Sequence, residues 1–99
     1  MTTNELTIQD NNFLRQFEVK MDGQLAKIEY SSQERKIFLT KLVIPDGIAD
    51  ENFKEDFIKA VLHEIEEMNT KVVPTCPEIA RFLRKNKQYK DLLPVGIRI

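Results

Sequence analysis

The segment that most restricts what this chain can fold into is Lys71-Val72-Val73-Pro74-Thr75-Cys76-Pro77. Two β-branched residues make a short apolar run, and Pro74 and Pro77 then bar its continuation. A helical pattern precedes the segment and a second, basic one follows it. The segment therefore predicts a short buried strand between two helices, ending in a loop that carries the only cysteine. In open α/β sheets, sites gather where strands end and helices begin. The loop around Cys76 is thus the first place to look for chemistry.

Upstream, the pattern is that of strands. Phe13, Phe17, Val19 and Met21 share one face of a strand over residues 13–21, interrupted by Arg15. Asp22-Gly23 suits a two-residue type I′ turn, so a hairpin follows. Ala26, Ile28 and Tyr30 alternate with Lys27 and Glu29 in its second strand, and residues 31–35 read as a polar turn. Residues 36–44 are apolar on both faces, with Ile37, Leu39 and Val43 on one and Phe38, Leu42 and Ile44 on the other. That predicts a central strand with helices packed on both sides of the sheet. Residues 1–11 read as a flexible lead-in to a single domain over 12–99.

The period changes after Pro45-Asp46-Gly47. Phe53, Phe57, Ala60, Val61, Ile65 and Met68 form one helical stripe over 50–68, widened by Ile58 and Leu62. Asp50 or Asn52 can cap this helix, and acids in its first turn suit the helix dipole. Asn69 stops it. A second helix spans 77–86 with Ile79, Phe82 and Leu83 inward and Pro77 in its first turn, where the missing N–H costs nothing. Tyr89, Leu92 and Leu93 make a packed turn, and 95–99 read as a last edge strand. The predicted class is α+β, with the order β-β-β-α-β-α and the strands over 36–44 and 71–74 parallel.

Size and charge narrow the function. Ninety-nine residues bury about 60–68% of their unfolded surface, enough for one core. The net charge of −1 gives no general attraction to nucleic acid. No stretch approaches the ~20 apolar residues that span a membrane. A lone cysteine excludes an internal disulfide and suits a reducing, cytoplasmic setting. Residues 46–69 hold eight acids against Lys54 and Lys59, whereas 71–99 hold seven bases against Glu78 and Asp91. Two solvated helices of opposite sign account for that. His63, the only histidine, falls mid-helix beside Leu62 and Glu64 and reads as a surface residue. No residues have metal-ligand spacing.

Several landmarks together resemble a short, single-domain branch of the GNAT superfamily of acetyl-CoA-dependent N-acetyltransferases. They are Val72-Val73-Pro74-x-Cys76-Pro77, the basic pair Arg84 and Lys85 on the next helix, Tyr89-x-Asp91-Leu92, and Ile44-Pro45 closing the central strand. The resemblance covers about residues 13–93. It implies a GNAT-like α/β sandwich and acetyl transfer to a small amine or a protein lysine. It also implies pantetheine contacts to the backbone near Val43 and Ile44, and Cys76 as a thiol close to the acetyl group. The partner expectations are no nucleic acid, no membrane, and a monomer or weak dimer.

The chain departs from that pattern at the pyrophosphate loop. The family places glycines where Asp50, Asn52 and Lys54 stand, so that bare N–H groups cradle the diphosphate. No glycine lies between Gly47 and Gly96. Lys41-Leu42 replaces the family's His-Thr, and Asn86 holds a position usually taken by histidine. Asn52, Phe53 and Lys54 remain the residues the resemblance aligns with the diphosphate, and the expectation is weakened CoA binding. The alternative is a GNAT-like fold that no longer catalyses and binds other proteins through its charged faces.

Overall fold

The hairpin built on Asp22-Gly23 sets the sheet. Met21 pairs with Gln24 across two intervening residues, and Gly23 has φ +75°, as a type I′ turn requires. The computed structural model describes residues 8–21, 23–48 and 51–94. Within them run β1 (Gln9–Asn11), β2 (Gln16–Met21), β3 (Gln24–Gln33), β4 (Lys36–Val43), α1 (Glu51–Glu67), β5 (Lys71–Pro74) and α2 (Pro77–Lys85). Short 3-10 turns, Asp46–Ile48 and Lys87–Leu92, follow β4 and α2. The strands lie in chain order in one five-stranded sheet. They are antiparallel from β1 to β4 and parallel between β4 and β5.

The expected order holds, with one strand more. Gln9–Asn11, read as lead-in, pair with β2 as the edge strand. Their sequence lacks a hydrophobic alternation because one polar contact anchors them instead. The buried Tyr30 phenol donates to Asp10 Oδ1 at 2.6 Å, lies 3.1 Å from the Asn12 amide oxygen, and stacks on Phe17 at 4.8 Å. Residues 12–15 form a turn, so β2 begins at Gln16, and Phe13 is 92% exposed instead of facing the core. The sequence periodicity at Phe13 was matched by chance to a stretch whose backbone turns, with Arg15 at φ +58°. The polar stretch 31–35 is shorter as a turn than its composition predicts. β3 continues to Gln33, leaving only Glu34-Arg35 to reverse the chain.

The central strand is where sequence alternation misleads. β4 does lie inside the sheet, between β3 and β5. Its register to β3, however, shifts between Glu29 and Tyr30, so that Thr40 is an extra residue between Leu39 and Lys41. This bulge turns two successive residues to one side. Ile37 and Leu39 are buried, Thr40 and Lys41 are exposed, and Leu42 and Ile44 pack against the same core as Ile37 and Leu39. The apparent two-faced pattern is one face carried across a bulge.

Both helices accordingly cover one side of the sheet, not two. One core joins Phe17, Val19, Ala26, Ile28, Leu39 and Val72 of the strands with α1 and α2. Lys54 of α1 reaches Glu78 of α2 directly, which makes the helices neighbours. The other side of the sheet displays Lys20, Leu25 and Lys41 to solvent, with Phe38 and Val73 half-buried. α1 buries Phe53, Phe57, Ile58, Val61, Leu62 and Ile65, so Ile58 and Leu62 belong to the stripe's centre. Met68, assigned to the stripe, lies beyond the helix and is 40% exposed. The stop at Asn69 is a left-handed cap with φ +55°. Its N–H reaches Glu66 O and that of Thr70 reaches Ile65 O, the paired bonds of a Schellman motif. The predicted strand over 95–99 lies outside the described residues.

Two predictions follow from these local features. Glu34 and Arg35 both sit at positive φ, +49° and +66°, where glycine and asparagine are favoured. The double substitution E34N/R35G is expected to raise stability by about 1 kcal/mol, read as a Tm increase of about 4–8 °C. The second concerns Tyr30, whose phenol is pushed up to about 12 by burial, by the bond to Asp10 and by that carboxylate's charge, against Arg15 pulling down. Its folded value exceeds the ordinary 10, so its contribution is complete below pH 10 and is lost as pH rises through 12. Alkaline denaturation should therefore show Tyr30→Phe losing its deficit relative to the unaltered protein across that window. A deficit unchanged with pH would show that the phenol's proton is not part of the latch.

Candidate functional site

The site is built around the point where β5 parts from β4. The parallel ladder runs from Lys36 with Lys71 to Leu39 with Pro74 and ends there, because Pro74 has no N–H to extend it. β4 goes on to Val43 alone on that side, so residues 40–43 have no strand partner opposite β3 among the described residues. One carbonyl holds the parting. Leu39 O accepts from Thr75 N–H at 3.1 Å, Cys76 N–H at 3.0 Å and Thr75 Oγ at 2.9 Å. Three donors on one oxygen fix where β5 turns away, and the result is a fork with its apex at Leu39.

Cys76 stands just past the apex as the N-cap residue of α2. Its backbone is extended (φ −80°, ψ 125°), and its carbonyl accepts from Ala80 N–H at 3.0 Å. The thiol makes no capping bond and is 6% exposed. Pro77 then opens the helix, as expected. Val43 ends β4 and Ile44 follows it, both half-buried, Ile44 against the core. The fold thus brings Cys76 to the same fork as the β4 residues 40–44.

The other candidates lie at the start of α1. Asn52 is exposed and Phe53 is buried in the core, its ring 5.9 Å from Phe57. Phe53 is consequently a core residue. Lys54 bridges the two helices, with Nζ 3.2 Å from Glu51 and 3.4 Å from Glu78. Burial pulls its ammonium down, but the bonds to Glu51 and Glu78 and their charges outweigh this and hold it above the ordinary lysine value. The positive charge aligned with the diphosphate is therefore already engaged by two carboxylates. Asp50 lies outside the described residues. Arg84 and Lys85 are exposed on α2, and Asn86 caps that helix by donating its side-chain amide to Phe82 O at 2.8 Å. His63 faces solvent, 3.6 Å from Glu67 one turn on.

Fork, cysteine and following helix appear together in known proteins. The sequence pattern of the GCN5-related N-acetyl-transferase family matches residues 16–92, most of the chain. The chain belongs to this family. An NMR solution structure of a Staphylococcus aureus protein, described as a GCN5-like N-acetyltransferase candidate, superposes with a TM-score of 0.69. It shares 22% identity over 97% of this chain and 94% of the other, a likeness that speaks for the fold. No curated protein matches the chain. Among the described residues, no helix is long and apolar enough to cross a membrane, and no three His, Cys, Asp or Glu side chains gather as metal ligands.

Members of the GCN5-related family use acetyl-CoA, and the two regions that the resemblance aligns with that molecule differ in character. The fork offers a strand edge with no strand partner among the described residues, polar at Thr40 and Lys41 and apolar at Leu42 and Val43, which suits an extended arm carrying amides. The start of α1 offers Glu51 and Asn52 side chains, with Lys54 tied to Glu51 and Glu78. This does not fit a diphosphate, which needs unshielded N–H groups or free cations. Sequence reading reached Cys76 and the α1 start, but missed Thr75 and Glu78. Thr75 carried a weak signal, as a hydroxyl residue in a proline-bounded loop. Glu78 looked only like an ordinary first-turn acid.

The fork's geometry makes a direct prediction. Thr75→Val keeps both backbone bonds to Leu39 O and removes only the hydroxyl's, so it should cost about 1 kcal/mol and speed thiol-reagent labelling of Cys76. Thr75→Ser should restore the slow rate. Equal labelling rates in all three proteins would show that the hydroxyl does not hold the fork.

Proposed function

We propose that this protein transfers an acetyl group from acetyl-CoA to an amine, with its grip on the CoA diphosphate weakened. The observation that carries the reading is the fork at Leu39, beyond which the 40–43 edge of β4 has no strand partner opposite β3 among the described residues. When bound, acetyl-CoA supplies an acetyl thioester. The chain's part is mainly positioning, by holding the arm along β4 so that the thioester sits near the apex. Transfer joins the amine nitrogen to the thioester carbon and breaks the C–S bond. The departing sulfur takes up a proton and the amine gives one up. Cys76 is the candidate to hand over the first and recover the second. The acceptor class is a small amine or a protein lysine, and the setting is cytoplasmic.

A second reading, a GNAT-like fold kept for contacts with other proteins, is favoured by one observation. Lys54 is neutralised by Glu51 and Glu78, where the family's chemistry wants bare amides. Chemical-shift titration with acetyl-CoA separates the two. Shifts at residues 40–44 and at Cys76 support acetyl transfer, and their absence at millimolar acetyl-CoA leaves only the contact module. The weakened grip has its own test. Substituting D50G, E51R, N52G and K54G together should tighten acetyl-CoA by about tenfold or more, since each recovered bond to a charged group is worth roughly 1.5–3 kcal/mol. Micromolar affinity in the unaltered protein, with no gain on substitution, would refute it.

A further inference from the structure

We infer that the acyl donor is recognised by its pantetheine arm alone, so that this protein accepts acyl-pantetheine thioesters lacking a nucleotide as readily as acyl-CoA. The inference rests on the reading of the fork as the thioester site and adds to it the class of donor. Its basis is the contrast between the two ends of that site.

At the fork, recognition needs only the backbone edge of 40–43 and the apolar side chains of Leu42, Val43 and Ile44. The one charge on this edge, Lys41, is exposed and stands on the side of the sheet away from the helices. Beside the start of α1, which the resemblance aligns with the diphosphate, a recess between α1 and α2 is about 30 Å³ in volume, room for a few waters at about 10–15 Å³ each. Its charged lining is Glu51, Lys54 and Glu55 from α1 and Glu78, Arg81 and Lys85 from α2. Three acids face three bases, so the recess has no net attraction for a polyanion.

The arrangement also opposes entry. Lys54 Nζ spans the recess to Glu78 at 3.4 Å while holding Glu51 at 3.2 Å. A diphosphate can use Lys54 only by displacing those carboxylates and leaving them beside its own charges. Arg81 and Lys85 are exposed on α2, and Glu51 and Glu55 stand across the recess from them. The nucleotide therefore loses at the three acids what it gains at the three cations, Lys54, Arg81 and Lys85. An arm without a nucleotide avoids the exchange altogether.

Three probes test this with the full chain under one salt concentration: acetyl-CoA, S-acetylpantetheine and 3′,5′-ADP, each followed by chemical shifts at residues 40–44, Cys76 and the start of α1. S-acetylpantetheine should bind within about threefold of acetyl-CoA, and 3′,5′-ADP should leave α1 unshifted. The double variant E51Q/E78Q should tighten acetyl-CoA about three- to tenfold and leave S-acetylpantetheine unchanged, as expected for removing partly exposed carboxylates. Acetyl-CoA binding more than tenfold tighter than S-acetylpantetheine to the unaltered protein would overturn the inference and leave acetyl transfer standing. Equal effects of the double variant on both probes would overturn it as well. If neither thioester shifts the fork, the thioester-site reading and the inference fall together.

Discussion

The structure turns on a single carbonyl. Leu39 O receives the backbone N–H groups of Thr75 and Cys76 and the Thr75 hydroxyl, and so decides where a parallel pair becomes a fork. Everything downstream inherits that decision. Proline at position 74 cannot extend the ladder, and Cys76 is delivered to the start of α2 with its thiol against the core. The helices follow from it too. β5 is four residues long, so α1 and α2 are joined by a short link and lie side by side on one face.

That side-by-side placement explains the electrostatics. Acids at a helix start are favourable because they offset the partial positive charge of unpaired N–H groups. Glu51 does so at α1 and Glu78 at α2, and each also engages Lys54. A bound diphosphate would offer α1 the same compensation from outside. In this chain Glu51 and Glu78 supply that compensation from within, which stabilises the helix pair.

Much of the fold was legible because periodicities are local. The Asp22-Gly23 hairpin, the stop at Asn69, the strand Lys71–Pro74 and Pro77 at the head of α2 each depend on a few neighbouring residues. What escaped depended on contacts distant in sequence. The bulge at Thr40 has no signature in β4, since it exists only in the register with β3, and it folded two apparent faces into one. β1 was invisible because Tyr30, twenty residues away, supplies its anchor through Asp10. The site divided in the same way. Cys76 could be found by its prolines, whereas Thr75 mattered only once Leu39 was seen opposite it, and the Lys54–Glu78 bridge required both helices in place.

The stretch of β4 over 40–43, without a strand partner opposite β3 among the described residues, has a consequence of another kind. A row of unpaired N–H and C=O groups is a template for any extended chain, not only for a ligand's amides. The sheet's outer strands limit that hazard by being short, three residues in β1 and four in β5, the latter closed by Pro74. Inside the fork such blunting is impossible without closing the site. There the bulge at Thr40 disrupts the edge and the exposed Lys41 charges it, both features that discourage strand invasion. The irregularity that broke the sequence pattern therefore also makes this edge a poorer template for a second extended strand.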